Sequence, residues 1–510
     1  MAETFWNQAT RLFTFPNLYA LIIICAFLKF LRQVIHYRFV HPLKEFPGPL
    51  WWGVTRVPLA WSNFWGREIQ RETELAREYE YLPTMLLVSS AKTLPLIYHR
   101  TAKKTPHYTL FSFGPEKTVF HMWEHSEYAE RAKIVAGIYS SKAHMPSTEE
   151  TMDQHLMEWI EKLKTSYANP GKMFDVGEWV QYYTVDTTLE LAFGDQFQLG
   201  YVKNGKDVLG ISHGFKSALP LYGIVCRLHP FFTWLNTTVV GTFFEWYILH
   251  GDFQIGNMTR YVDKCLKARL AEMKEGNTEK RNDMLQSFID ARTPQGTPLS
   301  FETLRGEVQI VVMAGADNTT AAICTTLYHI LQSPIAHSKV MEELIAAEQA
   351  GIFGKRPRYA DILRYCRFYV ACVRESLRLN LSLPSIIPRY STSDVDHPLV
   401  IDGRTIPPNT EVASNPWITQ RDPELYGEDA EEWKPERWLN AENAALFEKH
   451  NFTFGYGSRL CLRRQLGIMS VMKTPLMASI YRTVDITFAD INSSCKTFTQ
   501  VWTSKEGNQG

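Results

Sequence analysis

A single cysteine, Cys461, lies in a short loop whose residue types favour close contact with a flat ligand. The loop reads FGYGSRLCLRRQLGIM from Phe454 onward, and glycines such as Gly457 let the backbone turn tightly. Apolar spacing from Leu462 predicts a helix, so Cys461 would lie just before a helix N-terminus, where free N–H groups favour the thiolate. A thiolate can bind haem iron and promote O–O cleavage. The sequence predicts that chemistry here, and an inert buried thiol is the alternative.

This loop resembles the haem-binding loop of the cytochrome P450 family, Phe-x-x-Gly-x-Arg-x-Cys-x-Gly. Phe454, Gly457, Arg459 and Cys461 match that pattern. The resemblance implies that Cys461 is the axial ligand of the haem iron and that the other three residues contact the haem. Arg463 stands where the family has its last glycine, which lets the following helix pass close to the porphyrin.

A long helix is predicted upstream of this loop. Ser300 is a good N-cap, and a helical pattern runs from Phe301 to Gln332 before Ser333 and Pro334 end it. At 1.5 Å per residue the helix would be roughly 48 Å long, enough to cross a whole domain.

The middle of this helix carries polar residues in an otherwise apolar stretch. Gly315 inside a helix costs about 1 kcal/mol relative to alanine, which a groove for a bound planar group would explain. Asp317 beside polar side chains suggests a proton path. The alternative is a kinked core helix whose threonines bond back to carbonyl groups.

The segment resembles the oxygen-activation helix of the same family, Ala-Gly-x-Asp-Thr-Thr. Ala314, Gly315 and Asp317 match, whereas Asn318 occupies the position of the proton-delivering threonine and Thr319 follows one residue late. The resemblance implies that Asp317 relays protons together with Asn318 or Thr319. Because asparagine lacks a hydroxyl, Asn318 would order a water in the alcohol's place, or Thr319 would serve if the helix is locally unwound.

Basic residues outside the loop are candidates to hold the haem propionates by the same resemblance. Arg131 and Lys133 lie on a predicted helix, although a charged helix face is more often merely solvated. Tyr128 on that helix stands near a position where the family often has histidine. Arg389, after Pro388, matches the basic residue that reaches a propionate from a strand.

Glu375 and Arg378 share one face of a helix predicted over Asp361–Leu381. With Arg437 they resemble the family's Glu–Arg–Arg triad, whose role is structural, because it locks the segment behind the haem.

The N-terminus carries an apolar run over residues 13–31, about the length that a membrane span needs. Positive residues follow it, which predicts a cytosolic body: Lys29, Arg32, Arg38 and Lys44. Residues 41–49 read as a proline-rich hinge. The expected arrangement is a single-pass anchor in the endoplasmic reticulum membrane with the catalytic domain facing the cytosol; the alternative is a buried first helix.

Two further stretches bear on the shape of the domain. An amphipathic helix is predicted over Phe64–Tyr81, followed by a short strand from Met85. Phe215–Gly251 is strongly apolar and, by the resemblance, forms a lid over the substrate pocket that can dip into the membrane. Ordinary core helices are the alternative for this stretch.

Composition excludes several classes of protein. The 54 basic and 54 acidic residues balance, with a pI near 7.2, so no basic field recommends nucleic acid as a partner. The eight cysteines show no paired or zinc-type spacing, which favours a reducing compartment. No repeat or low-complexity linker divides the chain after residue 60. We therefore expect one catalytic domain over residues 50–510, mainly α with small β sheets.

The resemblance extends over nearly everything from Phe46 onward and is closest to microsomal proteins of filamentous fungi that act in secondary metabolism. It implies a haem-thiolate monooxygenase that hydroxylates or epoxidises a lipophilic small molecule, with electrons from NADPH through a cytochrome P450 reductase. Arg459, Arg463 and Arg464 would form a basic docking face for that reductase. Desaturation, ring closure or rearrangement is one alternative, and a non-catalytic haem-containing ligand binder is another.

Overall fold

The structure is a computed structural model of the 510-residue chain. It describes residues 15–46, 48–49, 51–79, 85–111, 116–140, 145–243, 254–276, 281–392, 398–480, 495–498 and 501–504.

The described part of the chain is mainly helical with small sheets, as the sequence predicts. Its α-helices are Phe15–Ile35, Val57–Phe64, Glu68–Glu78, Leu94–Ile97, His125–Ser140, Met145–Leu163, Val176–Phe193, Tyr201–Asn204, Ile211–Arg227, His229–Leu235, Gln254–Lys274, Met284–Asp290, Phe301–Gln332, Pro334–Gln349, Tyr359–Tyr365, Arg367–Leu379, Pro416–Thr419, Pro423–Tyr426, Ala441–Lys449 and Arg464–Ile480.

The long helix, Phe301–Gln332, is confirmed with the bounds that the sequence predicts. The Ser300 hydroxyl accepts a hydrogen bond from the Thr303 N–H at 3.1 Å, which caps the first turn. The helix is long and apolar enough to cross a membrane, but 61% of its most apolar 18-residue stretch is buried within the protein. It packs against Val176–Phe193 and Arg464–Ile480, so it forms the centre of the main core.

Eight short strands form three small sheets within the described residues. The strands are β1 Leu86–Leu87, β2 Lys103–Lys104, β3 Arg389–Tyr390, β4 Val400–Ile401, β5 Arg404–Thr405, β6 Glu411–Ala413, β7 Cys495–Phe498 and β8 Val501–Ser504. The largest sheet has the order β1-β6-β3-β2, with β1 parallel to β6 and the other pairs antiparallel. Its register sets Lys104 directly opposite Arg389, two residues that are 285 positions apart in the chain.

Glu375, Arg378 and Arg437 come together as the resemblance implies. The Glu375 carboxylate is fully buried and accepts hydrogen bonds of 2.8 Å from both arginines and from the Trp438 indole N–H. Arg378 also donates to the Gln420 carbonyl at 2.6 Å. Because each charge is paired and hydrogen-bonded, the cluster ties the segment after β6 to the helix Arg367–Leu379.

Two predicted helices are each interrupted once. The helix predicted over Phe64–Tyr81 begins only at Glu68, because Gly66 adopts a φ of +66° and ends the preceding helix. The helix predicted over Asp361–Leu381 is broken at Cys366, whose φ and ψ of −110° and 64° are not helical.

The helix Ile211–Arg227, which we call the lid helix, is fixed at its C-terminal end. The Arg227 guanidinium is 1% exposed and donates to both Glu68 oxygens at 2.8 and 2.7 Å and to the Ser385 hydroxyl at 2.8 Å. A Cβ on Gly223 would lie 2.0 Å from the Asn63 Oδ1 atom, so the lid helix packs backbone-first against the helix Val57–Phe64. A buried ion pair and close packing therefore fix the C-terminal end of the lid helix.

Candidate active site

The loop of Cys461 folds back on itself in a way that requires its glycines. The Cys461 N–H donates to the Phe454 carbonyl at 2.8 Å, which closes the loop. Gly455 and Gly457 adopt φ values of +82° and +69°. A Cβ on Gly457 would lie 2.0 Å from the Tyr98 carbonyl oxygen. The glycine spacing seen in the sequence thus permits both the turn and the close backbone contact.

Cys461 faces an open space although protein surrounds it on most sides. Its side chain has substantial accessible surface, yet burial raises the pKa of the thiol. The Arg463 N–H hydrogen bond and the charges of Arg463 and Arg464 oppose that shift without cancelling it. The sulfur is therefore accessible to a ligand although neighbouring protein atoms desolvate it. A metal cation bound there would remove the desolvation penalty, since a coordinating thiol is deprotonated outright.

The helix after this loop begins later than the apolar spacing predicts. It spans Arg464–Ile480, so Cys461 is separated from it by a two-residue turn. The group that stabilises the thiolate is therefore the backbone N–H of Arg463, which bonds the sulfur, and not only the N-terminus of the helix.

Three basic side chains form a buried cluster beside the loop: Lys104, Arg389 and Arg459. Lys104 and Arg389 are 6% and 3% exposed and face each other across β2 and β3. Burial, and then repulsion from both arginines, lowers the pKa of Lys104 well below its ordinary value. Burial, and then repulsion from Arg389, lowers the pKa of Arg459 to about 10. Like charges opposite each other destabilise a sheet, so a counter-ion would stabilise this cluster.

Neutral groups satisfy only part of the cluster. Lys104 donates to the Phe120 carbonyl at 2.6 Å, and Arg389 donates to the Tyr108 hydroxyl at 2.8 Å. The Nε atoms of Arg389 and Arg459 are buried without a hydrogen-bond partner. No ion pair joins the cluster to a carboxylate among the described residues. Two carboxylate groups of a haem would supply the missing negative charge, so these residues fit the propionate side of that cofactor.

Arg459 also anchors the loop to the N-terminal end of the helix His125–Ser140. Its guanidinium donates to the Met122 and Trp123 carbonyls at 3.0 and 3.2 Å and lies 3.7 Å from the Tyr128 ring centroid. The Tyr128 hydroxyl donates to the Ser458 carbonyl at 2.9 Å. Tyr128, which stands near a position where the family often has histidine, thus holds the loop of Cys461 itself.

Arg131 and Lys133 occupy different environments from this cluster. Arg131 lies 3.8 Å from the Glu307 carboxylate, and its Nη1 atom is buried without a hydrogen bond. Burial raises the pKa of Glu307 to about 7. Lys133 is exposed to solvent. Lys104 occupies the buried position instead, and no motif pointed to it, because it follows a second lysine, Lys103, in a polar stretch of the sequence.

Asp317 is the end of a buried polar chain that begins on the lid helix. The Lys216 ammonium donates to the Gln181 Oε1 atom, and the Gln181 Nε2 atom donates to the Asp317 carboxylate at 2.6 Å. Burial raises the pKa of Asp317 to about 6, against the opposing effect of the Lys216 charge. Gln181 and Lys216 are therefore further candidate site residues, and no motif in the sequence pointed to them.

A small, largely apolar cavity adjoins this carboxylate. Leu189, Phe215, Met258 and Met313 contribute to its wall together with Asp317. The cavity lies among the long helix, the lid helix and Val176–Phe193, and its apolar wall accounts for the desolvation of Asp317.

The long helix runs without interruption past Asn318, which occupies the position of the family's proton-delivering threonine, and Thr319, which follows it. The Asn318 carbonyl accepts a hydrogen bond from the Ser382 hydroxyl at 2.7 Å, whereas its side chain bonds no described residue. Thr319 is partly buried, and the local unwinding that would present it is not seen. Thr320 bonds back to the Ala316 carbonyl at 3.0 Å, as expected for a helix threonine. Asn318 and Thr319 are both partly buried, so burial does not distinguish their side chains.

Gly315 meets different atoms from those that its sequence context suggests. A Cβ there would lie 2.5 Å from the Arg463 Nη1 atom and 2.6 Å from the Thr188 Cγ2 atom. Two neighbouring side chains, rather than a planar group alone, fill the groove that this glycine leaves.

Comparison with known proteins agrees with this geometry. The sequence model of the family described as Cytochrome P450 matches residues 97–482. That span includes the long helix, the Glu375 cluster and the loop of Cys461.

Three curated relatives, all from filamentous fungi, align over most of the chain. Quiannulatic acid synthase of Emericella variicolor is 31% identical over 488 residues, which cover 93% of this chain and 94% of the relative. Cytochrome P450 monooxygenase gsfF of Penicillium aethiopicum is 25% identical, covering 96% of each chain. Cytochrome P450 monooxygenase cicH of Emericella nidulans is 26% identical, covering 92% of this chain and 94% of the relative. On the strength of these matches and of its site, the chain belongs to the cytochrome P450 family of haem-thiolate monooxygenases.

Proposed function

We propose that this protein inserts oxygen from dioxygen into a lipophilic small molecule, by hydroxylation or epoxidation, in fungal secondary metabolite biosynthesis. The observation that carries the proposal is the accessible sulfur of Cys461 on the same loop as Arg459, one of three clustered cations that pair with no carboxylate among the described residues. The relatives are named as monooxygenases and as the synthase of an acid, and neither the desaturase-type nor the binder alternative is favoured. An acid product would require repeated oxidation of one carbon.

The residues of the loop and the cluster would divide the work of holding the haem. Cys461 would bind the iron, while Phe454 and Gly457 would shape the loop around it. Arg459, Arg389 and Lys104 would together hold the propionates. The bound haem supplies oxygen activation, which the protein's own side chains cannot provide.

Arg131 stays a candidate for the propionates because its Nη1 atom is buried without a hydrogen bond. Lys133 has no such support, since it is exposed.

Protons would reach the site along the chain from Lys216 through Gln181 to Asp317. The Asp317 carboxyl, with a pKa of about 6, can both hold and release a proton near neutral pH. Asn318 would then order the water that completes the path, because its amide can both donate and accept hydrogen bonds.

Electrons would come from NADPH through a membrane-bound cytochrome P450 reductase. The expectation that three arginines form the docking face does not hold for Arg459 and Arg463, whose guanidinium groups bond backbone carbonyls. Arg464 remains partly exposed and pairs with Glu448 at 3.1 Å. The docking surface must therefore include other basic residues.

We further propose that residues 13–31 anchor the protein in the endoplasmic reticulum membrane as a single span, with residues 41–49 as the hinge and residues 50–510 as the cytosolic catalytic domain. The helix Phe15–Ile35 covers most of the anchor, and residues 13 and 14 lie outside the described residues. Most of its described apolar side chains are exposed, as lipid contact requires.

A second apolar surface supports contact between the domain and the membrane. Its exposed members lie near the hinge and after the lid helix: Trp51, Trp61, Trp65, Phe231, Trp234, Val239 and Val240. Tryptophan at an interface is typical of proteins that rest on a membrane.

Replacing Cys461 tests the proposal directly. We expect Cys461→Ala to abolish the strongly red-shifted Soret band of the reduced, carbon monoxide-bound protein, because the thiolate ligand is lost. The exposed Cys25 provides the matched control, and Cys25→Ala should leave the band intact. A colourless wild-type protein, or an unchanged spectrum for Cys461→Ala, would contradict haem ligation by this residue.

The cluster assignment predicts different effects for two lysines. Lys104→Met should speed the loss of haem to excess apomyoglobin by about tenfold or more, the equivalent of one charge-assisted hydrogen bond. Lys133→Met should have no effect, because that side chain is exposed. Faster haem loss from Lys133→Met than from Lys104→Met would instead assign the propionate contact to Lys133.

The proton path predicts a pH dependence that Lys216 controls. The acid form of Asp317 predominates below about pH 6, so product formed per NADPH should fall as the pH rises through that value. Lys216→Met should move the midpoint to higher pH, because the ammonium stabilises the carboxylate. Asp317→Asn should remove the midpoint and slow turnover by about a hundredfold. An unmoved midpoint in Lys216→Met would exclude this residue from the path.

Asn318 is tested by restoring the family's threonine. We expect Asn318→Thr to change the ratio of product to NADPH oxidised, since a hydroxyl would replace the amide that orders the water. The ratio is measured with a compound found by its Soret shift in a lipophilic panel, and Thr319→Ala is the control. An unchanged ratio would remove Asn318 from the mechanism.

A further inference from the structure

Arg463 connects the loop of Cys461 to the long helix. It follows Cys461 by two residues, and its Nη1 atom donates a hydrogen bond of 2.9 Å to the Val311 carbonyl. The family's glycine at this position has no side chain, so it cannot make this connection.

The long helix has a recess that accommodates the arginine. A Cβ on Gly315 would lie 2.5 Å from the Arg463 Nη1 atom, which is much shorter than a van der Waals contact. The opposite side of the recess is the Thr188 side chain, whose Cγ2 and Oγ1 atoms would be 2.6 and 2.9 Å from the same Cβ. Gly315 therefore separates two side chains that converge on it, one from the turn after Cys461 and one from the helix Val176–Phe193.

The same residue brings positive charge close to the sulfur. The Arg463 N–H bonds Cys461, and the guanidinium interacts electrostatically with the Cys461 and Tyr139 side chains. No ion pair joins Arg463 to a carboxylate among the residues that the structure describes. Its charge is therefore not neutralised by a neighbouring acid among these residues, and it interacts electrostatically with the sulfur.

We propose that Arg463 is a positioning residue that joins the thiolate loop to the oxygen-activation helix and raises the reduction potential of the haem. The inference rests on the proposed ligation of haem by Cys461. Reduction adds negative charge at the metal, and a nearby fixed positive charge stabilises that reduced form. The arginine thus combines a mechanical and an electrostatic role where the family has neither.

Potentiometry of the haem-loaded, full-length protein tests the electrostatic role. Arg463→Gln, which keeps a hydrogen-bond donor but loses the charge, should shift the haem midpoint potential to a more negative value. Arg463→Gly should do the same, while Arg463→Lys should stay close to the wild type. Equal potentials for Arg463→Gln and the wild type would overturn this role.

The carbon monoxide difference spectrum separates failure of this inference from failure of the proposed function. All three Arg463 variants should keep the red-shifted Soret band that Cys461→Ala loses. If Arg463→Gly does not retain haem, the comparison of Arg463→Gln with Arg463→Lys still decides the electrostatic role.

Thermal unfolding tests the mechanical role through the recess at Gly315. In a Thr188→Ala background, Gly315→Ala should lower the unfolding midpoint more when Arg463 is present than when Arg463 is replaced by glycine, because the added Cβ would displace the guanidinium from the Val311 carbonyl. The clash requires both side chains, so the two effects must not add. Strict additivity would overturn the contact between Arg463 and the long helix.

Discussion

Lys104 and Arg389 lie opposite each other on neighbouring strands, and Arg459 approaches them from the loop of Cys461. Each charge is buried or half-buried; the two arginines lower the pKa of Lys104, and Arg389 lowers the pKa of Arg459. Such an arrangement is unfavourable in the absence of an anion, so a dianionic cofactor should stabilise the folded state by binding to it. Cofactor retention and fold stability are therefore coupled at this point of the molecule.

The position of the sulfur depends on contacts made by its neighbours rather than by the cysteine itself. Gly457 packs against the Tyr98 carbonyl, and Arg459 bonds carbonyl groups at the start of the helix His125–Ser140. Glu375, Arg378 and Arg437 hold the segment of the chain that lies between β6 and the loop. A ligand fixed by rigid backbone on several sides is pre-organised for its metal.

Features that depend on local sequence were predictable, and features created by pairing of distant segments were not. The cap at Ser300, the extent of the long helix and the glycine turns around Cys461 follow from residue type and spacing. Lys104 became a site residue only because β2 pairs with β3, and Gln181 reached Asp317 only through helix packing. The sequence could not show these contacts, since each joins residues more than 130 positions apart.

The fixed end of the lid helix determines how that helix can move. Arg227 is held by a buried ion pair to Glu68, and Gly223 is packed against Asn63, so this end acts as the pivot. An outward swing would then displace the opposite end most, and Lys216 lies two turns closer to that end than Gly223. If a bulky molecule entered by this route, it would draw the ammonium away from Gln181, and the proposed proton path would be interrupted for as long as the helix stayed displaced.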